Sequence, residues 1–285
     1  MNQHISMTGM KSFVQCRKKY WLRYHQGVTI KPQYAARPMV MGKLWALWLE
    51  RAYEPDLEHP SIIEAMKLHR LYLEDQAKLR ALARAYKELI DIGPGDDFIA
   101  CELEITHPLN GTNIKGVIDR AYTSYIVESK LSARPDFYTH LENISLQGST
   151  YLLANPEWEA VVVEPTRLPK METGAGKFSD EDPDEYGERV YQDIISRPSH
   201  YFLKLNRKTG TFGVKFWRSE FPLDEIRQMY QVVYRDMKRC EEEDAWYPNE
   251  LSCHVPTQCE YLPIKKTGVV SEEMYDIRAD SEKQG

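Results

Sequence analysis

Two short runs, Gly116-Val117-Ile118-Asp119 and Ile126-Val127-Glu128-Ser129-Lys130, constrain the chain most. Both have the apolar character of sheet strands, yet the first ends on an acid and the second alternates an acid and a lysine with Val127 and Ser129. Side chains alternate across a strand, so Glu128 and Lys130 share one face, and a short connection after Asp119 brings its carboxylate beside them. Two carboxylates and one amine then converge. Oxygen ligands of this kind hold a divalent cation, while a lysine ammonium orients a nucleophilic water or offsets charge building on a phosphate. Read alone, the same residues also describe a solvated strand edge.

The neighbouring segments extend these runs into a sheet. Ile99 to Thr106 begins a β-meander, Leu109-Asn110-Gly111-Thr112 forms a turn, and strands follow at Ile114 to Ala121 and Tyr125 to Leu131. Glu102 and Glu104 share a strand face; either adds a carboxylate beside the cation or faces solvent. Tyr138 to Asn155 has helical spacing, with Ile144, Gln147 and Tyr151 on one side. The apolar run Glu159 to Val163 then suits a buried strand, completing an α/β core.

Upstream, Phe13, Cys16, Tyr20 and Tyr24 define one face of a helix spanning Ser12 to Tyr24, capped by Ser6 or Thr8. Residues 36–50 predict a second helix beyond Pro38. Residues 61–91 carry apolar side chains at helical spacing among charges and predict one long helix or two, a lobe inserted before the sheet and ended by Gly93-Pro94-Gly95-Asp96. Downstream, Gly174-Ala175-Gly176-Lys177 is too short for a phosphate-binding loop and reads as a mobile loop. Lys204, Arg207, Lys208, Lys215 and Arg218 interleave with Phe212, Phe216 and Trp217, a mixture suited to gripping a single strand or to a hairpin with a solvated charged face. Leu223 to Glu243 predicts an amphipathic helix, and beyond Lys266 a polar, frayed tail is expected.

Composition narrows the class of protein. Of 285 residues, 42% are apolar and 28% charged, which excludes wholesale disorder. The 37 basic and 43 acidic side chains give a net charge of −6, against a protein that coats nucleic acid by bulk charge, though basic residues lining a path to an acidic metal site remain compatible with it. No apolar run reaches the roughly 20 residues that cross a bilayer, so no membrane partner and a cytoplasmic location are expected. Five scattered cysteines do not form a secreted disulfide framework.

In order along the chain, Gly116-x-x-Asp119, Glu128-x-Lys130 and Gln147-x-x-x-Tyr151 resemble the core of the PD-(D/E)XK nuclease superfamily, in its RecB-like branch of CRISPR-associated and phage-type exonucleases. The resemblance implies a restriction-endonuclease-like central mixed β-sheet flanked by helices, an α/β fold with a helical insertion before the sheet. It implies one nuclease-like domain over residues 1–266, with a helical lobe at 34–92, a catalytic core at 98–165, a helical and cysteine-bearing part at 186–266 and a polar tail at 267–285. The implied activity is metal-dependent hydrolysis of DNA phosphodiester bonds, as an exonuclease on linear or single-stranded DNA in recombination, repair or phage DNA processing, in a bacterial, archaeal or phage-infected cell. Asp119, Glu128 and the backbone carbonyl of Ser129 would hold Mg²⁺ or Mn²⁺, Lys130 would position the nucleophile, and Gln147 and Tyr151 would lie beside the site. Tyr151, Lys204, Arg207 and Lys208 are the expected DNA contacts. A recombination, replication or CRISPR-adaptation protein is the implied partner.

Two departures from the family pattern stand out. Its G-x-x-x-H helix aligns with Gly42-Lys-Leu-Trp-Ala46, placing alanine where a histidine ligand is expected; Glu50, one turn further, either substitutes in part or is a surface residue. A family 4Fe–4S cluster needs four thiolates. Cys16, Cys253 and Cys259 match three, but the last falls at Lys265 and Cys240 lies upstream of the pattern. Either packing replaces a lost cluster, the preferred expectation, or Cys240 or a non-thiolate ligand completes it. These departures keep open a degenerate nuclease fold that binds DNA or protein without cutting, and the motifs equally suit a nuclease partner in CRISPR adaptation.

Overall fold

The computed structural model describes residues 4–53, 62–69, 71–93, 95, 97–109, 111–172, 181–254 and 258–278. Pro94, Asp96, Asn110 and the Gly174 to Lys177 loop lie outside them. Strand β1 (His4–Ser6) runs directly into α1 (Met7–Gln15), which Ser6 caps by accepting the Gly9 N–H at 3.0 Å. The single helix expected through Tyr24 is broken. Cys16 is extended (φ −163°), and its sulfur accepts the Lys19 N–H at 3.4 Å, starting α2 (Arg17–Tyr20) on a new axis. A π-helical turn at Trp21–His25 and β2 (Val28–Ile30) follow. The break lets Phe13 and Tyr20 meet edge to face, with ring centroids 5.5 Å apart.

The helical lobe comprises α3 (Arg37–Tyr53), α4 (Ile62–Leu68) and α5 (Leu73–Leu89), so the 61–91 stretch forms two helices. Strands β3 (Phe98–Leu109) and β4 (Thr112–Tyr122) form a hairpin paired down to Leu109 and Thr112, with Gly111 supplying the left-handed backbone (φ 93°) that so tight a turn requires. Next come β5 (Tyr125–Ser132), α6 (Leu141–Ala154) and β6 (Ala160–Arg167), a β-α-β crossover that makes β5 and β6 parallel. Helix α7 (Pro183–Ser196) begins with a capping box between Asp182 and Glu185, and α8 (Pro198–Tyr201) leads toward β7 (Val214–Trp217), antiparallel to β6. Helices α9 (Leu223–Glu243) and α10 (Leu262–Thr267) and strand β8 (Tyr275–Ile277) complete the described chain.

The central sheet is mixed, with six strands. Strand β4 has β3 along one edge; on the other it pairs with β1 through Lys115 and with β5 only from Arg120 onward. One apolar layer joins the sheet to α6 through Ile105, Ile118, Ile126, Leu152, Val161 and Phe216. The other, centred on Trp45, Leu82, Tyr86, Tyr186 and Ile194, belongs to α3, α5 and α7. Among the described residues, no helix is long and apolar enough to cross a membrane.

The tail expected to fray beyond Lys266 is ordered as far as Arg278. Tyr275 is 2% exposed, donates its hydroxyl to the Glu260 carbonyl at 2.6 Å, and anchors β8 antiparallel to β2. Val270 and Met274 pack against the same apolar cluster as Tyr275, so a few apolar side chains in a polar stretch dock it.

Gly213 introduces β7 with φ 104°, and a Cβ there would lie 2.3 Å from the Val163 carbonyl oxygen on β6. The neighbour is backbone, so relief requires moving a central strand. Gly213→Ala should therefore destabilise the fold by about 2–4 kcal/mol, read as a lower denaturation midpoint at unchanged denaturant slope.

Candidate active site

Where β4 leaves β1 and has not yet met β5, its edge opens into a cleft of about 480 Å³ lined by Glu102, Glu104, Asp119, Glu128, Gln147 and Tyr151. Asp119 fills the gap in the backbone ladder with its side chain, its Oδ2 accepting the Ser129 N–H at 2.7 Å. That bond ties the acid of one strand to the residue between Glu128 and Lys130 on the next. Ser129 sits opposite Glu164 of β6, and its hydroxyl accepts from Arg120 at 3.0 Å.

Glu128 and Lys130 emerge on one face, as alternation requires, with the Lys130 ammonium hydrogen-bonded to Glu128 Oε1. Gln147 donates to the same oxygen at 2.6 Å and to the Tyr151 hydroxyl at 2.8 Å, using both amide hydrogens. Tyr151 in turn donates to the Val117 carbonyl at 2.7 Å, a group left unpaired where β4 is bare. The one-turn separation of Gln147 and Tyr151 on α6 thus couples the acid of β5 to the backbone of β4. Gly116 makes room for this: a Cβ there would lie 3.0 Å from the Tyr151 ring and 3.3 Å from Ile105.

Electrostatically, the site is crowded with acid. Burial, then the Glu128 charge, push the Asp119 carboxyl well above its usual range, against the pull of Lys130 and the Ser129 N–H. Glu102, on left-handed backbone (φ 45°), is pushed up to about 7 by burial and by Glu50 and Glu128. Burial works to lower the Lys130 value, but Glu128 and Asp119 outweigh it and hold the ammonium above the ordinary lysine range.

A divalent cation, which the motifs imply, fits the donor chemistry present. Glu128 is only 4% exposed, and its second carboxylate oxygen has no hydrogen-bond partner among the described residues. A buried oxygen anion left without a partner is costly unless a cation or water completes it. Among the described residues, no three His, Cys, Asp or Glu side chains are gathered so as to hold an ion unaided. Glu104 lines the cleft beside Glu102. Ala46 presents no donor, and Glu50 of α3 lies within electrostatic reach of Glu102.

The iron–sulfur ligand set does not close. Cys16, Cys253 and Cys259 line one cavity of about 690 Å³, but the fourth position is taken by Lys265, whose ammonium lies 3.5 Å from the Cys253 sulfur and pairs with Glu250. An ammonium cannot ligate iron. Cys240 is no substitute: it is 1% exposed in the separate apolar cluster between α1 and α9. The corner is instead clasped by hydrogen bonds, with Asn249 donating its N–H to the Cys16 sulfur at 3.4 Å, and Asn249 and Ser252 donating to the Gln15 carbonyl at 3.0 and 2.9 Å.

Lys204, Arg207 and Lys208 do not line the cleft. Arg207 and Lys208 occupy a tight turn closed by Asn206 and Thr211 and docked by Gly210 onto Asp91, and Lys204 lies just before it. Arg218 is engaged structurally, its guanidinium holding the carbonyls of Leu152, Asn155 and Trp158. Sequence reading missed Arg120 and Glu164. Their largely buried pair, with the Arg120 side chain 3% exposed and stacked 4.4 Å from the Tyr53 ring, lies directly beneath Ser129. The signal was an arginine set between Asp119 and the apolar Ala121, on the strand face opposite the acid.

A carboxyl whose folded pKa is raised contributes stability that is full below its unfolded value and lost as pH rises through the folded one. In chelator, the melting temperature should therefore fall as pH rises from about 5 to about 8, most steeply between the ordinary glutamate value and the Glu102 value of about 7, and Glu102→Gln should flatten the profile.

The chain matches the family described as the PD-(D/E)XK nuclease superfamily over residues 4–264. No curated protein matches it. A solved structure it resembles, described as a "putative exonuclease" from Eubacterium rectale, is 12% identical, with 73% of this chain and 87% of that chain covered at a TM-score of 0.39. With a match spanning nearly the whole chain and an acid–acid–lysine constellation at the gap in its sheet, this protein belongs to the PD-(D/E)XK nuclease superfamily.

Proposed function

We propose that this chain is a metal-dependent deoxyribonuclease that acts as an exonuclease on linear DNA. The observation that carries the reading is the buried, partnerless oxygen of Glu128 beside Asp119 and Lys130. Asp119 and Glu128 would hold Mg²⁺ or Mn²⁺, with the Ser129 carbonyl and Glu102 or Glu104 as further oxygen donors. When bound, the cation supplies a water of lowered pKa and an electrostatic partner for the phosphate. The protein's own part is positional. The Ser129 N–H fixes Asp119, while Gln147 and Lys130 fix one oxygen of Glu128 and leave the other without a partner among the described residues. Lys130, held cationic by the two acids, can release Glu128 and donate to the attacking oxygen or to the phosphate as charge develops there. Tyr151, locked onto Val117, forms the wall against which a substrate strand would rest. The cysteine corner is read as packing without a cluster; the isolated protein should contain no stoichiometric iron or acid-labile sulfide by colorimetric assay.

Ala46 favours a second reading, a nuclease fold that grips DNA without cutting it. One experiment separates the two. End-labelled linear single- and double-stranded DNA, with closed circular DNA as control, is incubated with wild type, Glu128→Ala and Lys130→Ala in Mg²⁺, Mn²⁺ or EDTA. Wild type should degrade linear DNA only with metal and spare circles, and each variant should lose at least about a hundredfold in rate while keeping its circular dichroism spectrum. A folded wild type that binds DNA and yields no product in any metal would establish the binding reading. Cleaved circles would remove the need for an end.

A further inference from the structure

The active cleft is lined by four acidic side chains, with Glu128 and Asp119 as its floor, Glu102 beside them and Glu104 exposed at its edge, in a chain whose net charge is −6. A polyanionic strand approaching such a floor is repelled unless cations stand within a Debye length of its phosphates. The basic residues of the 204–208 turn are not at the cleft. Three others are: Arg23, Lys115 and Arg278 line the same cavity as the acids.

They come from separate parts of the chain and are set in place by local structure. Lys115 is the last residue of β4 paired with β1, beside the bare stretch that ends at Asp119. Arg23 projects from the π-helical turn, 3.6 Å from Glu260. Arg278 follows β8, and its N–H donates to the Gly27 carbonyl at 3.0 Å, so the pairing of β8 with β2 fixes where it stands. The first turn of α1, through Ser6, Met7 and Thr8, completes this wall, and Lys11 further along that helix is within electrostatic reach of Lys130 and Glu128. The cleft therefore has an acidic floor and a cationic rim, the charge arrangement needed to seat a phosphodiester backbone over a metal-binding floor.

We propose that Arg23, Lys115 and Arg278 form the phosphate-binding rim that guides one nucleic-acid strand into the cleft, with Arg278 delivered there by the C-terminal strand β8. This rests on the nuclease reading and goes beyond it by assigning the substrate path to the β1–β2–β8 side of the molecule and away from the 204–208 turn. Lys115 and Arg278 guide the strand and are not part of the hydrolytic machinery, so their loss acts on binding and KM.

The test is fluorescence anisotropy of a labelled single-stranded oligonucleotide over a series of NaCl concentrations, in Ca²⁺, for wild type, Lys115→Gln, Arg278→Gln, the double variant and Lys208→Gln. Each rim substitution should lower the slope of log K against log salt by about 0.7, the double by about twice that, with Lys208→Gln unchanged. In Mg²⁺ or Mn²⁺ the rim variants should raise KM several-fold and leave kcat within about twofold. Melting curves report on folding. Wild-type binding and cleavage with an unchanged slope in a folded double variant overturns the rim and leaves the nuclease reading standing. A slope lowered by Lys208→Gln alone also overturns it, placing the path on the other side. A wild type that neither binds nor cuts DNA overturns the nuclease reading itself.

Discussion

The organisation of this molecule depends on a buried ion pair. Arg120 and Glu164 face each other across β4 and β6, the arginine buried and the glutamate largely so, and Tyr53, Tyr86 and the Ser129 hydroxyl surround them. Desolvating two charges costs several kcal/mol per ion, and their attraction roughly repays it only when geometry and further hydrogen bonds are good. The stabilisation gained is therefore modest, but the cost of misplacement is high. Removing either partner strands a charge inside the protein, at roughly 3–5 kcal/mol. The pair thus fixes how β4, β5 and β6 stack, and with them the Ser129 N–H that holds Asp119.

From that anchor the site follows by short steps. Asp119 bridges the strands where no backbone pairing exists, Gln147 ties Glu128 to Tyr151, and Tyr151 closes on Val117. Each bond occupies a donor or acceptor that the open sheet edge would otherwise leave unsatisfied. The same bonds leave one oxygen of Glu128 without a partner among the described residues.

Much of this was legible in the sequence because it is local. Period-two alternation set Glu128 and Lys130 on one face, and four-residue spacing set Gln147 beside Tyr151. What could not be read depends on contacts between distant segments. Nothing local marks Arg120 as buried, because its partner lies 44 residues away. The break at Cys16 comes from a sulfur used as a helix cap, which aromatic spacing does not reveal. The 204–208 cations looked like a nucleic-acid surface until the fold turned them from the cleft, and Arg278 looked like part of a polar tail until Tyr275 docked β8. Lys265 was recognisable as a departure, but its seat against Cys253 and Glu250 was not.

Asp119 and Arg120 are adjacent, yet one faces an open acidic cleft and the other a sealed aromatic pocket. Side chains alternate across a strand, so sliding β4 by a single residue would exchange these surroundings, sending the carboxylate among the tyrosines and the guanidinium toward Glu128. The slip would leave Glu164 without its guanidinium and set a second carboxylate beside it, so the two costs arrive together. The acid–base dipeptide therefore works as a parity check on strand register: the pairing that makes the cleft chemically competent is the same one that lets the interior close.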